Sequence, residues 1–340
     1  MKLLILGGTR FLGRHLADAA LARRHRVTLF NRGIADSTPR DGVEQLRGDR
    51  DGGLSALDGG RWDAVLDTSG YVPRLVRDAA RRLARAAGHY TFVSSLSVYE
   101  TYDPPGLDEG GPLRVLADPT TEAVTGETYG GLKVLCEREV ERAFPGRALR
   151  VRAGLLVGPH DYMDRFPYWS RRIARGGEVL APGRPGAPLQ LVDARDLADW
   201  MVRMAEASAG GVFNATGPEA PLTIGTLLET CRAVTASDAT LTWVDDDFLL
   251  ARGVAPLDGL QLWVPPSFTG FNAVSVAKAV AAGLGYRPLA DTVRDTFEWD
   301  APRPPAQRRK PTMIPLPEPL GPQRERELLA EWHAARHEPA

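Results

Sequence analysis

The chain has little lysine and cysteine, no long apolar run and no excess of charge of one sign. Its two cysteines, Cys136 and Cys231, have no CxxC neighbour. That excludes a disulfide scaffold and a zinc ribbon, and two buried thiols in a reducing compartment are expected. No stretch reaches the ~18–20 apolar residues that span a bilayer. The N-terminal run MKLLIL ends in glycines rather than a signal cleavage site, so a soluble, cytoplasmic protein with no membrane partner is expected. The 42 basic residues balance 43 acidic ones, giving a net charge of −1, and no broad field draws the protein to nucleic acid. Lys2, Lys133, Lys278 and Lys310 are the lysines among those basic residues. In a chain that otherwise uses arginine, a lysine inside a motif is informative. No metal is expected either: Asp245-Asp246-Asp247 reads as an acidic helix cap rather than a ligand cluster.

What remains is an ordinary globular composition, 340 residues with 43% hydrophobic and 25% charged, enough for one large domain or two intimate ones. Leu3–Leu6 is a continuous apolar run, as in a strand buried on both faces. Phe11, Leu12, Leu16, Ala19 and Ala20 follow at helical spacing. Strands are read at Val27–Phe30, Val43–Leu46, Ala64–Leu66 and Tyr90–Val93, with a helix over Val72–Ala87 before the last of these. A helix at Thr128–Ala143 and a strand at Leu149–Val151 extend the alternation. Strands alternating with helices imply right-handed βαβ units and a doubly wound parallel sheet, an α/β Rossmann-like fold.

Beyond residue 160 the texture changes. Residues 190–192 and 212–214 read as strands returning to the main sheet, while the intervening segments carry aromatics, Gly and Pro. The expected organisation is a nucleotide-binding domain over 1–160 and a smaller C-terminal substrate lobe over 161–300, ending in a helix at Val293–Trp299. Residues 302–322 contain eight prolines, which predicts an extended segment. Gln323–His337 reads as a short exposed helix.

The first strand runs into Gly7-Gly8-Thr9-Arg10-Phe11-Leu12-Gly13, which opens the first helix. Glycines there permit a tight turn and let a pyrophosphate approach the free amides at the helix N-terminus. No Gly-Lys-Ser/Thr follows, so this is not an NTP-hydrolysing P-loop. A carboxylate for the ribose 2′-hydroxyl belongs at the end of the second strand, but the strand ends Phe30-Asn31-Arg32. Asn31 does not repel a 2′-phosphate, and Arg32, assisted by Arg10, can pair with one. NADP(H) is therefore the preferred cofactor, with NAD(H) as the alternative.

Tyr129 and Lys133, four apart, share one helix face. A phenol of pKa ~10 is a poor base at neutral pH, and a neighbouring ammonium favours its phenolate. Such a pair can move a proton to or from a carbinol oxygen. Gly130 and Gly131 each cost about 1 kcal/mol in a helix, which implies that something bulky passes the backbone there. The fifth strand ends in Ser94, Ser95 and Ser97, at the strand ends that line a ligand crevice. Chain position does not choose among the three.

Taken together, these residues resemble an extended or atypical short-chain dehydrogenase/reductase of the NAD-dependent epimerase/dehydratase family. The likeness covers roughly residues 1–300. It rests on Gly7–Gly13, Gly48-Asp49, Ser95 four residues before Tyr99, Tyr129–Lys133, Arg152 through Gly158-Pro159, and Asp193–Ala198. It implies that Tyr129 is the acid/base, that Lys133 also holds the nicotinamide ribose, that Ser95 orients the substrate oxygen, and that Asp49 contacts the adenine amino group. Arg50 and Thr68 join the cofactor set. The resemblance also allows a homodimer.

Departures from the family pattern bear on the reaction. Arg10 stands at the middle glycine, as in the branch that includes chloroplast stem-loop-binding proteins. Leu96-Ser97 replace the Asp-Glu of sugar-nucleotide dehydratases, and leucine is no general acid. Leu155 and Leu189 align with a polar and a charged contact to the nucleotide diphosphate in 4-epimerases. The leading expectation is an NAD(P)-dependent oxidoreductase or epimerase acting on a small molecule at a secondary alcohol or ketone carbon. A non-catalytic NADP(H)- or RNA-binding protein and a nucleotide-sugar 4-epimerase are the alternatives. Ser97, His160, Tyr162 and Phe166 are candidate substrate contacts, the last three in an aromatic cluster that also reads as core.

Overall fold

The computed structural model describes residues 1–34, 40–257, 259–308, 312–314 and 317–337. The first part of the chain runs β1 (Lys2–Leu6), α1 (Phe11–Ala22), β2 (Arg26–Asn31), β3 (Val43–Arg47), β4 (Trp62–Asp67), α2 (Pro73–Leu83), β5 (Ala87–Ser95), α3 (Tyr129–Ala143) and β6 (Ala148–Ala153). It continues through β7 (Leu155–Val157), α4 (Arg165–Ala174), β8 (Glu178–Pro182), β9 (Leu191–Asp193), α5 (Ala194–Glu206), β10 (Gly211–Ala215), α6 (Ile224–Thr235) and β11 (Thr240–Val244).

Residues 1–156, 191–219 and 274–286 form one compact unit, and 157–190, 220–273 and 287–340 a second. The first unit holds a seven-stranded sheet in the order β10-β6-β5-β4-β1-β2-β3, with every neighbouring pair parallel. Leu3, Leu4, Ile5 and Leu6 are buried because β1 lies inside the sheet with helices on both faces. The strand order reverses between β1 and β4, and this switch point is where such sheets take a ligand. The loops leaving β1 and β4 flank it.

The expected helix over Val72–Ala87 ends at Leu83, and β5 already begins at Ala87. The strand read at 190–192 is β9, and it does not join the main sheet but pairs with β7. The chain leaves the main sheet after Ala153: Gly154 donates to the Ala215 carbonyl, and a Cβ on it would lie 2.3 Å from Thr216 Oγ1. Residues 274–286 join the first unit through Lys278, whose Nζ donates to the Val212 carbonyl, and Tyr286, whose hydroxyl donates to that of Thr216.

In the second unit β8 and β11 form a parallel pair, with α4, α6 and a helix at Leu289–Asp300 packed together. The proline-rich segment is not wholly extended: Pro305–Arg308 makes one helical turn, since proline is tolerated in a first turn where its missing N–H would be unpaired anyway. The C-terminal helix Pro322–His337 is not an exposed one. Leu328, Leu329 and Trp332 are buried, and Glu325 accepts from Arg172 Nε and from the Leu180 amide.

Candidate functional site

The loop leaving β1 makes its turn with Gly7 at φ +106° and Gly8 at φ +86°. A Cβ on Gly13 would lie 2.7 Å from Gly8 Cα, so α1 starts directly against the turn. Thr68, at the end of β4, closes the other side, its Oγ1 donating to the Leu6 carbonyl at 3.1 Å. Arg10, the N-cap of α1, offers no side-chain cap, and the first turn has no acid. A helix start without a side-chain cap suits an anion. Phe11 and Leu12 are buried, so in such a site only their amides could take part. Thr9 is half-buried and Arg10 exposed.

At the end of β2, Asn31 Oδ1 accepts from the Gly33 amide at 2.8 Å and from Arg47. Its Nδ2 is buried and finds no partner among the described residues. Arg32 is exposed and lies 3.8 Å from Asp49 Oδ2, and Asp49 closes its own turn by accepting from the Asp51 amide. A glycine cradle, an uncapped helix start and an orphaned buried amide all fit a dinucleotide.

Arg50 is turned towards the end of β4. Its guanidinium donates to both oxygens of Asp67, at 2.6 and 2.9 Å, and to Ser69 Oγ. Tyr90 donates to Asp67 as well, at 2.7 Å. Burial would raise the Asp67 carboxyl, but the Arg50 guanidinium outweighs it and holds the group below its ordinary value. Burial likewise pushes the Tyr90 phenol well up. This triad braces the end of β4, and sequence reasoning missed it. The signal was there: an aspartate closing the apolar run Trp62–Asp67 cannot be buried without a cation.

Helix α3 carries Tyr129, Lys133 and Glu137 at spacings of four. Lys133 is 3% exposed, and its ammonium donates to the Gly70 and Val93 carbonyls, both at 2.7 Å. It also lies 4.5 Å from the Phe92 ring centre and 5.1 Å from that of Tyr71. Burial lowers its pKa to about 8. The Tyr129 ring, half-buried, lies 6.4 Å from the Tyr71 ring, so both members of the pair meet at a residue that sequence reasoning did not single out.

Below them Glu137 forms a buried bidentate pair with Arg152, at 3.1 and 2.9 Å. Arg152 also donates to the Tyr99 hydroxyl, which donates in turn to Asn214 Oδ1 at 2.6 Å. Every hydrogen-bonding group of this chain is matched to another, which fixes α3 against β6 and β10.

Ser95, at the end of β5, accepts from the Ser97 amide and donates to the Ser97 hydroxyl, both at 3.1 Å. These two side chains hold a 3-10 turn over Leu96–Val98, whereas Ser94 is buried with no partner for its hydroxyl among the described residues. A Cβ on Gly130 would come within 2.0 Å of the Ser97 carbonyl oxygen, and one on Gly131 within 2.5 Å of Leu116. What passes close to these two glycines is thus the chain's own turn and a leucine, not a ligand. The contact seats the serine turn against the first turn of α3.

The aromatic cluster belongs to the second unit. Phe166 is 1% exposed and Trp169 fully buried, the latter donating to the Gln261 carbonyl. Phe166 is therefore core rather than a substrate contact. His160, at φ +72°, packs 5.2 Å from the Trp299 ring, and Tyr162 is half-buried. Between them Asp161 is fully buried. Its carboxyl, raised to about 6 by burial, accepts from the Met163 and Phe166 amides. Among the described residues no group of three metal-ligating side chains occurs, and no helix is long and apolar enough to cross a membrane.

The chain is similar to known proteins. An Arabidopsis thaliana protein, the chloroplast stem-loop binding protein of 41 kDa b, is 26% identical over 251 residues, or 68% of this chain. The match spans 62% of that relative, less than two thirds of its length. The Bordetella bronchiseptica enzyme WbmH, solved in complex with NAD+, is similar at a TM-score of 0.65 and 15% identity, over 88% of this chain and 98% of that one. The UDP-glucuronic acid 4-epimerase of Bacillus cereus, solved with NAD, is similar at 0.64 and 16%, over 89% and 99%. At these identities the likeness is one of fold. The profile of the NAD dependent epimerase/dehydratase family matches residues 3–216, and with well over half of its length so matched, the chain belongs to that family.

Proposed function

We propose that the protein is an NAD(P)-dependent oxidoreductase or epimerase that acts on a secondary alcohol or ketone of a small molecule. One observation carries the reading: Tyr129 and the buried Lys133, four residues apart on α3, both pack against Tyr71, and Gly130 between them seats against the Ser97 carbonyl of the serine turn. The Gly7–Gly13 turn, the α1 amides and Thr68 would hold the cofactor, whose nicotinamide would supply the hydride chemistry. The protein's own part is proton handling. Lys133, on the same helix face, holds its ammonium between the Gly70 and Val93 carbonyls and supplies the site's positive charge. Tyr129 then takes the proton of a carbinol or returns one to a carbonyl oxygen. Ser95 or Ser97 donates to that oxygen and orients it.

We assign NADP(H) in preference to NAD(H), because β2 ends in Asn31-Arg32 with no carboxylate to hold ribose hydroxyls. The solved relatives named above were crystallised with NAD, which favours the alternative. A nucleotide-sugar 4-epimerase is the second reading, favoured by the likeness to the Bacillus cereus enzyme. Against it, Leu155 and Leu189 are both buried and apolar, and neither can contact a diphosphate. Stem-loop binding draws on the Arabidopsis relative, and a net charge of −1 gives it little support.

The test is deuteride transfer from 4-deuterated NADPH to a panel of ketones and ketosugars, with Tyr129→Phe as the control. The variant is expected to bind NADPH normally and lose ~100-fold or more in turnover. Turnover equal to that of the parent protein refutes the assignment of Tyr129. Tightly held oxidised cofactor in the purified protein indicates an epimerase, which regenerates it in each cycle.

A further inference from the structure

Arg47 has no role in the reading above. It ends β3, directly opposite Asn31 in the parallel register, and its guanidinium donates to Asn31 Oδ1. It also lies across the turn that follows β2, since a Cβ on Gly33 would come within 2.7 Å of Arg47 Nη1. Gly33 is at φ +75°, so this position both needs glycine for its backbone and leaves the space that the guanidinium fills.

The consequence is chemical. Asn31 Oδ1, the side-chain acceptor at the end of β2, is already taken by Arg47 and by the Gly33 amide. Around it the strand end presents donors: the buried Nδ2 of Asn31, with no partner among the described residues, the remaining N–H groups of Arg47, and Arg32, which is 62% exposed. The nearby carboxylate is Asp49, whose Oδ2 lies 3.8 Å from Arg32 and whose Oδ1 accepts from the Asp51 amide. Two guanidinium groups against one carboxylate leave a net positive charge. A site of donors with a positive charge suits a phosphate monoester, whose oxygens only accept, and suits poorly a pair of hydroxyls, which must also donate.

We propose that Arg47 is a specificity-determining residue. By capturing the Asn31 carbonyl it leaves the end of β2 rich in donors and positively charged, suited to the 2′-phosphate of an adenine dinucleotide, and it supplies a guanidinium to that phosphate itself. The inference rests on the NADP(H) reading and adds to it a residue from the neighbouring strand.

The test separates the two. Calorimetry on the full chain compares adenosine 2′,5′-bisphosphate with AMP, two fragments that lack the nicotinamide and differ only in the 2′-phosphate. The parent protein is expected to bind the bisphosphate ~10-fold or more tighter than AMP, as a charge-assisted contact provides. Arg47→Ala is expected to remove most of that preference while its affinity for AMP stays within ~2-fold and its melting temperature is unchanged, because Arg47 is exposed. If the parent protein does not prefer the bisphosphate, the NADP(H) reading falls and the role of Arg47 falls with it. If the preference is present and Arg47→Ala keeps it in full, the role of Arg47 alone is refuted. Equal weakening of both ligands also refutes it, since a general defect in the turn would then be the cause. Arg47→Lys, which keeps the charge and loses the planar fork, is expected to lie between the two.

Discussion

The carbonyl oxygen of Ser97 occupies the place that a side chain on Gly130 would need, 2.0 Å from its Cβ position. Ordinarily alanine is favoured over glycine in a helix by about 1 kcal/mol. Here the obstacle is backbone, so it cannot rotate away, and the sign reverses. Gly130→Ala is expected to destabilise the protein by ~1–3 kcal/mol and to push the serine turn away from Tyr129. Urea denaturation reads the first effect. A gain in stability would show that the turn and the helix are not in contact.

The same helix offers a direct titration. Lys133 sits among two carbonyls and two rings with a pKa of about 8, against an ordinary 10.5. With four lysines in the chain, selective 13C labelling at Cε yields at most four resonances, and Lys133→Arg identifies the relevant one. Its midpoint is expected near 8. Between pH 8 and 10.5 the unfolded chain holds a proton that the folded one has shed, so the Lys133 contribution to stability rises with pH through that window. A midpoint above 10 would place the ammonium in solvent and overturn the buried pair.

The Arg50–Asp67 pair separates a structural role from a cofactor role. Arg50→Met strands a carboxylate in the core beside Tyr90, which is expected to cost ~3–5 kcal/mol at neutral pH. The paired Asp67 is held below its ordinary value of 3.8, so its stabilisation is present above that pH and is lost as pH falls through the depressed value. In Arg50→Met burial is opposed only by the Tyr90 and Ser69 hydrogen bonds, so the Asp67 pKa rises and the deficit is expected to shrink on acidification. The double variant Arg50→Met/Asp67→Asn is expected to recover part of the loss. A deficit that does not change with pH would mean the pair is not the cause.

How much of this was legible depends on the range of the interaction. Leu3–Leu6 reads as a buried strand and Tyr129 with Lys133 as a helix face because each is a pattern within a few residues. Arg50, Asp67 and Tyr90 are separated by 17 and 23 positions, and each taken singly looks like a turn or surface residue. Tyr71 and Arg47 are hidden for the same reason: the first meets Tyr129 and Lys133 only once β4 lies beside β5, and the second meets Asn31 only in the β2–β3 register. The pairing of β9 with β7 instead of the main sheet is likewise a relation between distant segments. Periodicity says that a strand exists, and it does not say which edge the strand joins.

The C-terminal helix tests that limit from the other side. Its sequence, rich in Glu and Arg, has so weak a stripe that it reads as solvated, yet Leu328 is fully buried and Leu329 and Trp332 nearly so. Trp332 packs edge-on against Phe248 at 4.9 Å, and Glu325 is buried against Arg172. A surface leucine replaced by alanine changes stability by less than ~0.5 kcal/mol, whereas a buried one costs ~2–5 kcal/mol. Leu328→Ala is therefore expected to fall in the second range, with Glu327→Ala, on the exposed side, as the matched control in the first. Because Leu328 belongs to the second unit and the dinucleotide cradle to the first, NADPH affinity of the folded protein is expected to be unchanged in both. Near-zero cost for Leu328→Ala, measured by chemical denaturation, would mean that the helix is not docked in solution.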